Sequence, residues 1–209
     1  MDGEKPDPRM VARAASILAS GGLLIYPTDT LYALGGPALD AAASRAVRAA
    51  KGREAAKPLP VIAADVEQAR QVCARFPAAA EILAARFWPG PLTLILPAGS
   101  SLPLDLTAGS GGLAVRVPAL ELSRALCRAA GVLISTSANR SGEPPPATCA
   151  EAVRAVGTAA ALALDAGPGK TTGSTIVDLT RDPPTLERPG PVPWGDVGAA
   201  LGLHRGSGS

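Results

Sequence analysis

The order of apolar and polar residues predicts that the chain begins with a helix followed by a buried strand. Asp7-Pro8 is typical of a helix start, because aspartate caps the first turn and proline suits the first helical position. Apolar residues then recur at helical spacing until Gly21-Gly22, where we expect the helix to end. The apolar run 23–26 predicts a strand that ends at Pro27, and the polar run 28–30 follows it. Ligands of open α/β sheets usually lie at such strand ends, so this polar run is a candidate site.

The same patterns predict mixed helices and strands along the rest of the chain. Helices are expected at 40–51, at 65–73, at 120–129, at 148–156 and after Trp194. Strands are expected at 59–63, 92–96, 113–117, 132–134, 161–164, 174–179 and 185–188, with a proline-rich loop at 143–146. Many of the connections are too short for uniform βαβ winding. We therefore expect an α/β fold around one twisted, mixed sheet that carries helices and has an open concave face.

The composition is that of a globular protein with a full core. The chain has 209 residues, of which 47% are hydrophobic and 18% charged, and this favours one compact domain. We place that domain at 9–192, after an N-terminal extension at 1–8 and before a C-terminal helix and flexible tail at 193–209. The net charge of +2 is too small to indicate a nucleic-acid-binding protein by itself.

The cysteines and the single histidine limit the chemistry. Cys73, Cys127 and Cys149 lack both the paired spacing of a zinc site and the even number of a disulfide framework, which predicts a reduced, cytoplasmic protein. The chain has no apolar run of membrane-spanning length and no signal peptide, so we expect it to be soluble. His204, the only histidine, lies in the Gly/Ser tail, which argues against a catalytic triad or a metal site built on histidine.

Three polar clusters stand next to predicted strands. They are Lys51-Gly52-Arg53 with Lys57, the run 135–139, and Gly173-Ser174-Thr175. Cations at a helix end also complement the helix dipole, and serine and asparagine also suit an ordinary turn. As a site, the hydroxyls and the amide could orient phosphate oxygens or a magnesium-bound water, while the cations neutralise a triphosphate.

Arg116 lies within a predicted strand between apolar neighbours. Its side chain must either reach a solvated face of the sheet or pair with an anion. A substrate carboxylate suits the second case, because a guanidinium can hold it through two parallel hydrogen bonds.

The run 167–172 is similar to a phosphate-binding P-loop but departs from its pattern. The first glycine of that motif would fall at Leu164, and a strand-like run follows Thr172 where the motif requires a helix. We therefore expect an ordinary loop at this place.

Eight motifs, in order, resemble those of the YrdC-type threonylcarbamoyl-AMP synthases. They are YPTDTLYALG at 26–35, KGR at 51–53, KPL at 57–59, WPGPLT at 88–93, AVRVP at 114–118, STSAN at 135–139, STIVD at 174–178 and RPG at 188–190. The resemblance extends from about residue 9 to residue 190 and matches the short, single-domain form of the family. It implies a twisted α/β sheet curved around a large, positively lined cavity.

The resemblance also implies an activity. Members of the family condense threonine with bicarbonate to a carbamate, whose oxygen attacks the α-phosphorus of ATP and releases pyrophosphate. The product, threonylcarbamoyl-AMP, supplies the threonylcarbamoyl group for adenosine 37 of certain tRNAs through separate transfer proteins, and tRNA itself is a possible partner. The implied cofactor is Mg²⁺ that arrives with ATP, without a direct protein ligand.

The resemblance assigns roles to individual residues. The expected catalytic residues are Lys51, Arg53, Ser137 and Asn139, which match the family's Lys-x-Arg and Ser-x-Asn tetrad at the nucleotide phosphates. The expected ATP contacts are Arg53, Lys57, Ser137 and Arg188, and the expected threonine contacts are Thr28, Thr30, Arg116, Ser135 and Ser174. We expect Lys51 and Arg53 to be partly exposed in the cavity, and Arg116 to bind the threonine carboxylate.

Two departures from the family keep alternatives open. Many relatives carry a histidine that faces threonine where this chain has Ile62, and Ala33 stands where glycine is common. One alternative is a paralogue with a different carbamoyl-type substrate. The other is a non-enzymatic module that binds double-stranded RNA or tRNA by shape and phosphate contacts.

Overall fold

The computed structural model describes residues 5–54 and 56–203. The predictions for His204, for the end of the tail and for residues 1–4 lie outside this range. The helices are α1 Pro8–Ala19, α2 Ala41–Lys51, α3 Val66–Gln71, α4 Ala78–Phe87, α5 Leu104–Thr107, α6 Glu121–Ala130, α7 Cys149–Val156 and α8 Trp194–Ala200. The strands are β1 Leu24–Pro27, β2 Tyr32–Gly35, β3 Val61–Ile62, β4 Leu92–Pro97, β5 Gly112–Arg116, β6 Leu133–Ile134, β7 Thr136–Ser137, β8 Leu162–Ala163, β9 Thr175–Asp178 and β10 Thr185–Arg188.

The helix ends follow local capping chemistry. Asp7 accepts a hydrogen bond from the backbone N–H of Arg9 at the start of α1, and Asp40 caps α2 in the same way. Gly52 ends α2 in the left-handed conformation at φ 58°, which glycine adopts without steric cost. These signals are readable in the sequence, and the helices they predict are confirmed.

The strands form two mixed sheets, whereas the sequence predicted one. Hydrogen bonds join four strands in the order β7-β2-β1-β8 and six in the order β10-β9-β4-β5-β3-β6. The mixed α/β class is confirmed. The division into two sheets was missed because no strand was predicted at β2, a four-residue strand that forms an antiparallel hairpin with β1. The helix α4 was also missed, because it is alanine-rich, has no clear apolar stripe and lacks a side-chain cap.

One face of the six-stranded sheet carries a row of residues that includes two arginines. Ile176 is in register with Thr93 on one side and with Arg188 on the other, and Ile62 is in register with Arg116. Side chains directly opposite each other in a sheet point to the same face. Leu94 is in register with Val115, so their neighbours Thr93 and Arg116 also share a face. The pairing therefore places both arginines on one face.

The opposite face of this sheet packs into the main core. Val61, Leu94, Val115 and Val177 alternate with the residues of the row and are at most 1% exposed. Burial of each such side chain stabilises the fold by roughly 1.5–3 kcal/mol. The backbone that holds the row is therefore rigidly placed.

None of the helices in the described residues is long and apolar enough to cross a membrane.

Candidate functional site

A cavity of about 330 Å³ is lined by residues of both sheets and by the loops at their ends. Eight of the expected site residues line it: Thr28, Thr30, Arg53, Arg116, Ser135, Ser137, Ser174 and Arg188. A second groove, of about 380 Å³, is lined by mostly apolar residues such as Pro77, Ile82 and Leu201 and contains none of the expected residues. The polar side chains therefore converge on the first cavity.

Arg116, at the end of β5, is almost fully buried and is held by the loop that follows β1. Its Nη1 donates to Asp29 Oδ1 at 2.9 Å, and its Nη2 donates to Thr30 Oγ1 at 3.0 Å. Burial lowers the pKa of Arg116, and the charge of Asp29 acts in the opposite direction. Arg116 thus remains a cation in the cavity wall, compensated by one carboxylate.

The loop between β1 and β2 owes its shape to Thr28. The Thr28 hydroxyl accepts the backbone N–H of Leu31 at 3.0 Å and lies 3.0 Å from the Thr30 hydroxyl. Such side-chain bonds to nearby backbone are typical of threonine in turns. The loop therefore presents two hydroxyls to the cavity in a fixed arrangement.

Arg188, at the end of β10, closes another side of the cavity. Its Nε and Nη2 donate to the Ser174 carbonyl at 3.0 and 2.8 Å, and the Ser174 hydroxyl lies 2.7 Å from that of Thr93. Burial lowers the pKa of Arg188, and the neighbouring charge of Arg116 adds to this effect. A Cβ on Gly173 would lie 2.8 Å from Arg188 Nη2, so the guanidinium fits only against a glycine.

Arg53 supplies the third guanidinium of the cavity. Its Nη2 donates to the Pro58 carbonyl at 2.9 Å, and burial, followed by the charge of Arg48, lowers its pKa. Within the described residues, no carboxylate lies at ion-pair distance from Arg53 or Arg188. Three partly desolvated cations with a single carboxylate favour an anionic ligand.

Lys51 does not line the cavity, and the expectation that it is a partly exposed cavity cation is wrong. It is 2% exposed, and its ammonium donates to the backbone carbonyls of Ser137 and Asn139. Burial, with a smaller contribution from the charge of Arg53, lowers its pKa to about 8. The ammonium turns inward because two carbonyls of the neighbouring loop accept its hydrogen bonds.

Asn139 also lies behind the cavity wall. Its side-chain amide donates to the backbone carbonyls of Arg140 at 2.9 Å and Glu143 at 2.6 Å. Together with Lys51 it fixes the loop from which Ser137 faces the cavity. Within the expected tetrad, the structure therefore separates the residues that line the cavity from those that shape its wall.

Lys57 lies outside the residues that line the cavity. Its ammonium is 3.0 Å from Glu54, and more than half of its side chain is exposed. Its role as an ATP contact stays a prediction.

Three polar residues at the site were not selected in the sequence analysis, although each lies inside a quoted motif. Asp29 binds Arg116, while Thr93 and Thr136 line the cavity. Alternation along β4 is the signal that could have identified Thr93, because its neighbours Leu92 and Leu94 are buried in the core.

The loop at 167–172 is not followed by a helix. Its position is fixed by Tyr32 of β2, in the four-stranded sheet. The Tyr32 hydroxyl donates to the Gly167 carbonyl at 2.6 Å and accepts the backbone N–H of Ala166 at 3.1 Å. The chain then passes Gly173 into β9. This loop is therefore a connection that leads into the cavity wall.

Fold and cavity together define a class of protein: two mixed sheets with helices, and a cavity lined by guanidinium and hydroxyl groups that are suited to bind an anion. Residues 16–190 match the family model Sua5_yciO_yrdC, described as "Telomere recombination". The chain belongs to this Sua5/YciO/YrdC family, as the motifs indicated.

Similar proteins carry a consistent name. The chain is 43% identical over 176 residues to a threonylcarbamoyl-AMP synthase of Chromobacterium violaceum, covering 83% of this chain and 91% of the relative. It is 38% identical over 194 residues to one of Pyrococcus abyssi, covering 92% of this chain. The chain spans 57% of the length of that P. abyssi relative. The crystal structure of P. abyssi Sua5 complexed with L-threonine superposes with a TM-score of 0.91 at 36% identity, covering 96% of this chain and 59% of that one.

Proposed function

We propose that this protein makes threonylcarbamoyl-AMP from ATP, L-threonine and bicarbonate, with release of pyrophosphate. The observation that carries the proposal is the cavity in which Arg53, Arg116 and Arg188 converge with one carboxylate partner among them. Support comes from relatives that are named threonylcarbamoyl-AMP synthase and from the similar fold of a Sua5 protein complexed with L-threonine.

Threonine binds at the end of the cavity that Arg116 occupies. A guanidinium has five N–H donors, and two of those of Arg116 are taken by Asp29 and Thr30. The others bind the threonine carboxylate. The hydroxyls of Thr28, Thr30, Ser135 and Ser174 accompany it as hydrogen-bonding partners of the substrate.

The nucleotide phosphates bind beside Arg53 and Ser137. Arg188, which donates to the Ser174 carbonyl and lies near Arg116, contacts them from the threonine side of the cavity. Lys51 and Asn139 hold the loop that carries Ser137, and Lys57 contacts the nucleotide only if its exposed side chain leaves Glu54. Magnesium enters with ATP as part of the substrate. Among the described residues, no group of three or more His, Cys, Asp or Glu side chains is placed to hold a metal ion.

The proposed reaction has two steps, and neither forms a covalent bond to the protein. The threonine amine and bicarbonate give a carbamate and water, after which a carbamate oxygen bonds to the α-phosphorus as the bond to pyrophosphate breaks. Negative charge grows on the phosphoryl oxygens and the leaving group, and fixed arginines stabilise it without reorganisation. Separate transfer proteins then carry the threonylcarbamoyl group to tRNA, in the cytoplasm.

The test measures pyrophosphate release from MgATP and bicarbonate with threonine, serine, valine or no amino acid, with the adenylate identified by mass spectrometry. We expect release that requires both threonine and bicarbonate. Release with another amino acid would redirect the proposal to a different substrate beside Ile62, which lines the cavity. No release with any amino acid would contradict it. The RNA-binding alternative is not favoured, because the arginines converge inside a cavity of about 330 Å³ and not along an open surface.

Gly173 offers a test of the position of Arg188. In Gly173→Ala the new methyl group displaces the Arg188 guanidinium, and the fold persists because the displaced atoms end a flexible side chain. We expect inorganic pyrophosphate, as a probe of the phosphate site, to bind about tenfold more weakly, the equivalent of one charge-assisted hydrogen bond. Calorimetric titration measures this, with Gly198→Ala in α8 as the control because its methyl group meets only ordinary contacts. Equal affinities in both variants would contradict the role given to Arg188.

A further inference from the structure

Asp29 makes the ion pair with Arg116 from outside the cavity. The pair is nearly buried, with 14% of the Asp29 side chain and 7% of the Arg116 side chain exposed. Arg116 lines the cavity, whereas Asp29 is not among the lining residues. The carboxylate thus compensates a buried cation without taking the space in which a ligand binds.

The contact also links the two sheets. Asp29 follows β1 of the four-stranded sheet, while Arg116 ends β5 of the six-stranded sheet. Asp29 holds Nη1 and Thr30 holds Nη2, so both terminal nitrogens of the planar guanidinium are fixed. Two anchors on different nitrogens determine the plane of the group and the direction of its remaining N–H bonds.

We propose that Asp29 is a positioning residue for the amino-acid substrate, one that orients the Arg116 guanidinium toward the substrate α-carboxylate. The inference rests on the proposed function and adds a residue to its threonine site. Without Asp29 the guanidinium keeps only the neutral Thr30 hydroxyl, and the charge of the nearby Arg188 repels it. The group then loses its orientation, and a carboxylate meets fewer N–H bonds in line.

Loss of Asp29 should weaken the binding of the amino acid and leave the binding of ATP unchanged. Asp29 contacts none of the proposed ATP-binding residues Arg53, Ser137 and Arg188, and Arg188 is held by the Ser174 carbonyl. We expect Asp29→Ala to raise the Kd of L-threonine by about tenfold or more and to leave the KM of ATP within about twofold, a split that general loss of structure would not produce. Calorimetric titration with L-threonine and steady-state pyrophosphate release at saturating threonine measure the two quantities.

Asp178→Ala is the matched control. Asp178 is also a nearly buried aspartate paired with an arginine, at 3.2 Å from Arg181, but neither residue lines the cavity. We expect this variant to lose stability while its Kd for threonine stays within about twofold of the original. A similar rise in Kd in both variants would assign the effect to destabilisation and overturn the proposal.

Asp29→Asn tests the positioning role of Asp29 if Asp29→Ala does not fold. Its amide oxygen can still accept the Arg116 N–H bond, so we expect a smaller rise in the threonine Kd, about threefold. An unchanged Kd in the folded Asp29→Ala variant, or in Asp29→Asn when only that variant folds, overturns the proposal. Failure of the proposed function is seen separately, because the unsubstituted protein would then neither bind threonine nor release pyrophosphate.

Discussion

We expect Arg53→Ala to lower the rate of threonine-dependent pyrophosphate release by about 10²–10³-fold, the loss typical of one preorganised charge at a developing oxyanion. Arg53 is partly desolvated in the cavity and has no carboxylate within ion-pair distance among the described residues, so its charge is available to the phosphates. Alanine removes that charge and the hydrogen bond to the Pro58 carbonyl, which a loop can lose without unfolding. Steady-state rates at saturating MgATP measure the effect.

Two companion variants define what the loss means. Arg45→Ala also removes an arginine of this region, but one that is mostly exposed and paired with Asp105, so we expect an unchanged rate. Arg53→Lys keeps the charge and loses the planar fork, and we expect it to recover only part of the rate. A rate for Arg53→Ala equal to that of Arg45→Ala would remove Arg53 from the reaction.

Lys51→Ala should lower both stability and activity, in contrast to Arg53→Ala. The substitution leaves the buried Asn139 carbonyl without its donor, while the Ser137 carbonyl keeps the backbone N–H of Asn139. An unpaired buried group costs about 1–3 kcal/mol. Relief of the burial that lowers the Lys51 pKa offsets part of this cost. We expect the free energy of unfolding to fall by about 1–3 kcal/mol. Urea unfolding at neutral pH measures it.

The rate of Lys51→Ala must be measured where the variant is folded. Because the loop that carries Ser137 loses its anchor, we expect pyrophosphate release to remain at least about tenfold reduced even when circular dichroism shows a native spectrum. Lys170→Ala, at an exposed lysine, is the control for stability and should unfold as the original does. Unchanged stability in Lys51→Ala would contradict the buried position of the ammonium.

Local chemistry explains which elements could be predicted from the sequence. The caps Asp40 and Gly52 mark α2 at both ends, and the apolar run in β4 marks a buried strand. The strand β2 was not predicted, because it is only four residues long and its pairing with β1 depends on a turn built by the Thr28 hydroxyl. The division into two sheets follows from that hairpin and was missed with it.

The sequence predicted which residue types form the candidate site, but not which of their side chains face the cavity. The motifs bring Arg53, Arg116 and Arg188 to one cavity, as expected. The motif that contains Arg53 also contains Lys51, yet Arg53 lines the cavity while the Lys51 ammonium donates to buried backbone carbonyls. Whether a lysine faces a ligand or a backbone carbonyl depends on the loop packed against it, which lies far away in the sequence.

The hydrogen bonds from Arg116 to the loop after β1 imply that substrate binding also affects the stability of the fold. Because the proposed threonine contacts come from both sheets, we expect the bound amino acid to bridge them and to stabilise the folded state in proportion to the logarithm of its concentration. Mutations that loosen the packing between the sheets are then partly masked while threonine is abundant. The folded fraction of such variants should therefore fall more without added threonine than with it.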